Sequence, residues 1–266
     1  MLTNFHTHST FCDGKNTPEE IVLSALDKGF SAIGFSGHGY TGFDLRYCMK
    51  DTEGYIAEIR RLKEKYSKDI QVYLGIEEDA HALTNRAEFD YIIGSSHYLF
   101  KDGKYYPLDS NLDYYKRCLD AFDNDIIAMA TAYYEAFSNY IHSRKPDIIG
   151  HFDVVTKFDE AGEYYLANNE QYQKLAVRYA EEAAKSGCLV ELNTGAVARG
   201  VRSTPFPSEV SLHALKKAGA RMILSSDSHQ ADTLDFGFED AKQLLKDVGF
   251  RELYTLYNSE FVSYKI

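Results

Sequence analysis

Long apolar runs are missing from this chain. None approaches the ~18 residues that would mark a transmembrane helix, so no membrane span is expected. Cysteine is sparse: Cys12, Cys48, Cys118 and Cys188 show no C-x-x-C spacing. That leaves no cysteine-based zinc or redox motif and points to reduced thiols in a cytoplasmic protein. Positive charge is in deficit. With 29 basic against 40 acidic residues the formal net charge is −11, which argues against a nucleic-acid groove. The first strand-like run begins at residue 2, so no signal peptide is expected. Internal repeats, low-complexity tracts and domain-boundary signals are absent as well.

What is present is a chain of 266 residues, 44% apolar, able to bury a large core. Short apolar runs alternate with helical patterns. Strands are expected at Leu2–Phe5, Ala32–Ser36, Ile70–Ile76, Tyr91–Ser95, Asp147–Gly150, Leu189–Asn193 and Met222–Ser226. Thr17-Pro18-Glu19-Glu20 opens a helix with a capping-box spacing and a proline at its first position. Gly54–Tyr66, Asn169–Ser186, Ser208–Ala218 and Phe238–Asp247 also read as helices. Alternation of this kind implies parallel strands joined by right-handed crossovers. With seven units, a closed or nearly closed α/β barrel is expected over an open sheet, as a single domain spanning 1–266. A Tyr- and Asp-rich interruption at about 99–145 reads as an inserted loop with one or two helices, either packed over the barrel or walling a substrate.

Histidines and carboxylates recur at the ends of these strands. His6 and His8, two apart in a strand run, share one side. His38 follows the second strand, Glu77 the third, His97 the fourth and His151 the fifth; Asp227 and His229 follow the seventh. Asp13 lies in the loop after the first. In a parallel barrel all these ends open on one face. A lone histidine at a strand end is usually a structural hydrogen-bonder, but the set taken together, with H-x-H and D-x-H pairs, reads as a metal centre. Nine ligands exceed the roughly four to six that one zinc or manganese ion takes. Two or three divalent ions, Zn, Mn or Fe, with a bridging carboxylate are therefore expected, and ions so spaced suit hydrolysis of a phosphate ester. Glu77 is preferred to Glu78 as the ligand, while Asp79 shares its parity and stays an alternative. His81, His142 and His213 fall outside the pattern. Lys157, Arg199 and Arg202, on loops after the fifth and sixth strands, are candidates for holding phosphate.

These residues resemble the polymerase and histidinol phosphatase (PHP) family. The resemblance lies in His6-Thr7-His8-Ser9, Asp13-Gly14, His38, Gly75-Ile76-Glu77, His97, His151 and Ser226-Asp227-Ser228-His229, in order along nearly the whole chain. Gly150-His151-Phe152-Asp153-Val154-Val155-Thr156-Lys157, Glu191-Leu192-Asn193-Thr194-Gly195 and Pro205-Phe206-Pro207-Ser208 are similar to the monofunctional histidinol-phosphate phosphatases. The resemblance implies a distorted (β/α)7, TIM-like barrel with a trinuclear site at the C-terminal ends of the strands, and hydrolysis of L-histidinol phosphate in histidine biosynthesis by a metal-bridging hydroxide. It allots His6, His8, Glu77 and Asp227 to one ion, Glu77, His97 and His151 to a second, and Asp13, His38 and His229 to a third. Asp227 or His229 would relay a proton to the leaving group, and the amine and imidazole of the substrate would face the 99–145 insertion. Two positions depart from the pattern: Lys157 stands where the subfamily usually has Arg, and Gly37 where the family often has an acid. Other readings are a PHP phosphoesterase for a nucleotide or sugar phosphate, an amidohydrolase, and a non-catalytic PHP module. The absence of a lysine after the fourth strand counts against the amidohydrolase, and the full ligand set against the module. The expected partner is a small phosphate monoester, with neither nucleic acid nor membrane.

Overall fold

In the computed structural model, which describes residues 1–162 and 164–266, the apolar runs pair side by side in chain order. The strands are β1 (Thr3–Asn4), β2 (Ala32–Phe35), β3 (Gln71–Asp79), β4 (Tyr91–Ser95), β5 (Tyr98–Lys101), β6 (Lys104–Pro107), β7 (Ile148–Ile149), β8 (Leu189–Asn193), β9 (Arg221–Ser225), β10 (Glu252–Tyr257) and β11 (Glu260–Lys265). A nine-stranded sheet runs β1-β2-β3-β4-β7-β8-β9-β10-β11, parallel as far as β10 and antiparallel between β10 and β11. The helices are α1 (Pro18–Asp27), α2 (Thr52–Lys65), α3 (Leu112–Asp120), α4 (Ile126–Arg144), α5 (Glu170–Lys185), α6 (Gly195–Ala198), α7 (Glu209–Lys217) and α8 (Phe238–Val248). This is an α/β fold built on a curled, largely parallel sheet. Among the described residues no helix is long and apolar enough to cross a membrane.

Local chemistry sets the helix starts. Thr17 caps α1 by accepting from the Glu20 N–H while the Glu20 carboxylate accepts from the Thr17 N–H, with Pro18 at the first turn where its missing donor is not needed. Asp51, Asn111, Asp125 and Asn169 cap α2, α3, α4 and α5 in the same side-chain-to-backbone manner.

The curl brings the two ends of the parallel run together. His8 N–H donates to Ser228 O at 2.8 Å and Ser228 N–H to His6 O at 3.1 Å, so the segments after β1 and β9 lie side by side. Farther down, the Thr3 and Thr255 hydroxyls meet at 2.9 Å and link β1 to β10. Phe5, Tyr73, Tyr91, Ile93, Ile148, Leu189, Ile223 and Leu256 fill the concave interior. Tyr91 is the central plug. Its hydroxyl donates to Phe5 O at 2.6 Å, and a Cβ at Gly75 would lie 2.2 Å from its ring, so only glycine fits there. With the interior closed by aromatic packing, polar side chains are left to the carboxyl end of the strands. On the outside, Ile21, Val22, Tyr55 and Ile59 seat α1 and α2 against β2 and β3, and Tyr133, Tyr134, Phe137, Tyr172 and Tyr179 join α4 to α5. Each such buried side chain contributes about 1.5–3 kcal/mol relative to exposure.

Three features differ from the sequence expectation. Strand β3 runs on to Asp79, so Glu77 lies within the strand rather than after it. The C-terminal ribbon β10–β11 was not expected; its outer strand is too exposed to show a clean apolar alternation. The interruption at about 99–145 holds most of the β5–β6 hairpin and two helices, and α4 puts Met129, Tyr133, Phe137 and Ile141 into the main core.

Candidate metal centre

The nine candidate ligands converge at the carboxyl end of the sheet. Glu77 stands at the middle. Its Oε2 lies 2.8 Å from His38 Nδ1, 3.4 Å from His6 Nε2 and 3.5 Å from His8 Nε2, and its Oε1 lies 3.0 Å from His151 Nε2 and 3.1 Å from His97 Nε2. His8 Nε2 is 3.1 Å from Asp227 Oδ1, and His229 Nε2 is 3.3 Å from Asp13 Oδ2. Backbone geometry aims these groups. An isolated parallel bridge pairs His38 with Glu77, and Asp227 adopts a left-handed conformation (φ 46°) that turns its carboxylate back under β1. A non-glycine residue held there stores strain, as is common where a side chain must be presented to a site.

The electrostatics are those of ligands crowded together. Burial disfavours a charged Glu77, yet His6, His97 and His38 hold its pKa well below the carboxylate range. The same balance, burial against His38 and His229, keeps Asp13 low. Burial and then the neighbouring His229 and His38 push His8 down to about 3, so it is a neutral imidazole at neutral pH. For His97 burial is outweighed by Glu77 and Asp109, which raise it to about 10.

Four compact groups can each hold a cation: His8, Asp13, His38 and His229; His6, Glu77 and His151; His6, His8 and Asp227; and His38, Glu77 and His97. The fit is supported by buried atoms that lack any hydrogen-bond partner, namely His6 Nε2, His8 Nε2, Asp13 Oδ1 and Glu77 Oε2. Orphaned polar atoms of this kind cost about 1–3 kcal/mol each, and a cation among them satisfies them together. The grouping departs from the allotment implied by the family resemblance. His8 joins Asp13, His38 and His229, and His38 also pairs with Glu77, because these rings use both nitrogens toward different carboxylates.

A cavity of about 220 Å³ opens beside the cluster, lined among others by Asp13, His38, Glu77, His97, Asp109, Lys157, Arg199 and Asp227. Lys157 Nζ donates to Asp109 O at 2.5 Å and lies 3.6 Å from its carboxylate. Arg199 donates to Asp227 Oδ2 and O, both at 2.9 Å. Arg202 is not on the cavity wall. It is buried, donating to Thr156 O and Oγ1 at 2.6 Å and lying over the Phe206 ring, contacts that turn it from the cavity where a phosphate role was expected. The loop placed it near the site, but a packed hydroxyl and carbonyl claim its guanidinium. At Gly37 a Cβ would lie 3.0 Å from Met49 Cε and 3.1 Å from Cys12 Sγ, so these side chains occupy the room the usual acid would need. Of the alternative ligands, Asp79 holds His97, accepting from its N–H at 2.9 Å, and Glu78 turns away to Arg144. His81, His142 and His213 lie outside the cluster.

Two residues escaped the sequence reading. Asp109, in the insertion, reaches the cavity wall beside Lys157. Glu191, buried in β8, accepts from His6 Nδ1 at 2.9 Å. Only its place in Glu191-Leu192-Asn193 hinted at a role.

The chain is similar over most of its length to known proteins. The histidinol-phosphatase of Bacillus subtilis is 27% identical over 259 residues, covering 88% of this chain and 96% of that protein. That of Lactococcus lactis is 25% identical over 273 residues, covering 95% and 93%. A crystal structure of histidinol phosphate phosphatase from Lactococcus lactis, complexed with Zn, L-histidinol and phosphate, shares the fold with a TM-score of 0.70 at 20% identity, over 98% of each chain. The PHP domain model matches residues 4–195. The chain belongs to the PHP domain family.

Proposed function

We propose that this protein is a metal-dependent phosphomonoesterase that hydrolyses L-histidinol phosphate to L-histidinol and phosphate, a step of histidine biosynthesis. The observation that carries the reading is the set of buried, partnerless ligand atoms beside a cavity walled by Lys157 and Arg199. The substrate is taken from the relatives, which bear the name histidinol-phosphatase and align over most of their length. The nine residues His6, His8, Asp13, His38, Glu77, His97, His151, Asp227 and His229 would hold two or three divalent ions, Zn, Mn or Fe. When bound, such ions supply Lewis acidity to the phosphoryl group and to water. The strands β1–β4 and β7–β9 are read as a distorted (β/α)7 barrel in one domain with the centre at its mouth; the Ser228 hydrogen bonds to His6 and His8 support that closure. The four free thiols agree with a cytoplasmic place.

The chain's own residues take the remaining roles. Lys157 and Arg199 give fixed positive charge to the non-bridging phosphate oxygens. Burial opposes ionisation of Asp227, but Arg199 and His6 hold its pKa well below the usual range. Asp227 or His229, both on the cavity wall, would relay the proton to the leaving group. Asp109 offers negative charge to the cationic amino-alcohol end of the substrate, on the side formed by the insertion.

The test is phosphate release from L-histidinol phosphate beside a panel of other monoesters, with Mn or Zn restored after chelation. A kcat/KM for histidinol phosphate far above the panel is expected. Activity concentrated on a nucleotide or sugar phosphate would refute the substrate and retain the metal centre.

A further inference from the structure

Glu191 sits beneath the ligand cluster, and its hydrogen bonds are all assigned by the fold. Its Oε1 accepts the His151 backbone N–H at 2.6 Å and the Asn193 side-chain amide at 2.7 Å. The orientation of that amide is fixed, because Asn193 Oδ1 accepts the Gly195 N–H at 2.9 Å and leaves Nδ2 as the donor. The other oxygen, Oε2, faces His6 Nδ1 at 2.9 Å, with Oε1 farther from the same atom at 3.2 Å. All these side chains are buried.

We propose that Glu191 is a positioning residue that selects the tautomer of His6. A carboxylate only accepts, so the proton of the neutral His6 ring must sit on Nδ1. The lone pair is then on Nε2, the atom that points between Glu77 Oε2 at 3.4 Å and Asp227 Oδ1 at 3.6 Å and has no hydrogen-bond partner. A ligating imidazole must offer a lone pair to the ion, and its other nitrogen sets which one is free. By also taking the His151 N–H, Glu191 ties the start of the loop after β7 to β8 and β1, so one carboxylate orders two of the ligand-bearing segments. The inference rests on the metal-centre reading of the cluster.

The substitution Glu191→Gln separates this role from space filling. The His151 N–H and the Asn193 amide both require an oxygen at the Oε1 place. The glutamine NH2 then takes the Oε2 place, 2.9 Å from His6 Nδ1, and favours an accepting Nδ1 with the ring proton on Nε2, in the space between the carboxylates; Oε1 at 3.2 Å is the weaker acceptor left to Nδ1. The variant keeps the shape and the hydrogen bonds at the Oε1 place. Zinc affinity of the full chain would be measured by competition with a chromogenic chelator, with the thermal midpoint of the metal-free protein recorded alongside. The expected result is affinity weakened by about ten- to a hundredfold. Unchanged zinc affinity in Glu191→Gln would overturn the proposal. Should the variant not fold, 15N-edited imidazole spectra of the zinc-loaded wild-type protein decide: a proton on His6 Nδ1 supports the assignment, and a proton on Nε2 overturns it. A wild-type chain that takes up no zinc, manganese or iron would instead refute the metal-centre reading, and this inference with it.

Discussion

At the residue scale the centre is organised around Glu77, which His6, His8, His38, His97 and His151 all approach. Removing one of them leaves a buried carboxylate with fewer partners. His6→Ala is expected to abolish turnover and lower bound metal, measured by elemental analysis of the purified variant; unchanged turnover would remove His6 from the centre. Lys157 and Arg199 should behave differently. Lys157 Nζ hydrogen-bonds Asp109 at the cavity wall and touches none of the candidate ligands among the described residues, so Lys157→Ala is expected to raise KM by roughly tenfold or more with a smaller change in kcat, a charged hydrogen bond being worth about 1.5–3 kcal/mol. Arg199 also holds Asp227, so Arg199→Ala should lower kcat as well as raise KM, in the same steady-state measurement. The convergence of the candidate ligands was legible in the sequence because strand ends in a parallel sheet share one face, and spacing of two shares one side. Arg202, Glu191 and Asp109 were not. Chain position brings a loop to the mouth but does not say which way a long side chain turns, and a carboxylate inside an apolar strand looks the same whether it touches water or a histidine.

At the scale of elements, the insertion is joined to the sheet by an ion pair between a half-buried arginine and a buried carboxylate. Arg144 at the end of α4 donates to both oxygens of Glu78 in β3, at 2.7 and 2.8 Å, and Tyr140 donates to the same carboxylate at 2.8 Å. Burial opposes ionisation of Glu78, but Arg144 and the Thr84 donors lower its pKa below the ordinary 4.5. A carboxyl whose folded pKa is depressed stabilises the fold above its unfolded value, and that contribution is lost as pH falls through the folded value. Arg144→Met leaves Glu78 buried without its cation and is expected to destabilise by about 3–5 kcal/mol at neutral pH in urea titrations. The gap between variant and wild type should close as the pH is lowered below about 4.5; a gap independent of pH would mean the ion pair contributes nothing to docking the insertion. Most elements could be read from periodicity and caps: β4 and β8 have the expected bounds, and Thr17 starts α1 as its capping box requires. The exceptions have physical causes. The short β5–β6 and the exposed β11 lack a buried face long enough to print a pattern, and α4 is apolar on most sides, which hides its helical period.

At the scale of the whole molecule, the sheet, the helices and the carboxyl-end loops all meet at one buried cluster of like and unlike charges. The candidate ligands come from segments after β1, β2, β4, β7 and β9 and from β3 itself, so a cation held there would join strands across the sheet. Stripping metal by chelation is expected to lower the thermal midpoint by about 10 °C. The estimate follows from about 4 kcal/mol of binding linkage at a thousandfold excess over Kd, and roughly 2–4 °C per kcal/mol for a chain of this size. The acidic net charge of −11 fits a protein whose anionic substrate is met by a local positive centre rather than by its surface at large.

The central claim, a polynuclear centre that performs phosphate ester hydrolysis, is tested most directly by titrating metal-free protein with zinc or manganese while following bound metal and phosphate release from L-histidinol phosphate together. The account predicts that turnover returns only as the second or third ion per chain is bound. Full activity at one ion per chain, or activity indifferent to chelation, would contradict it.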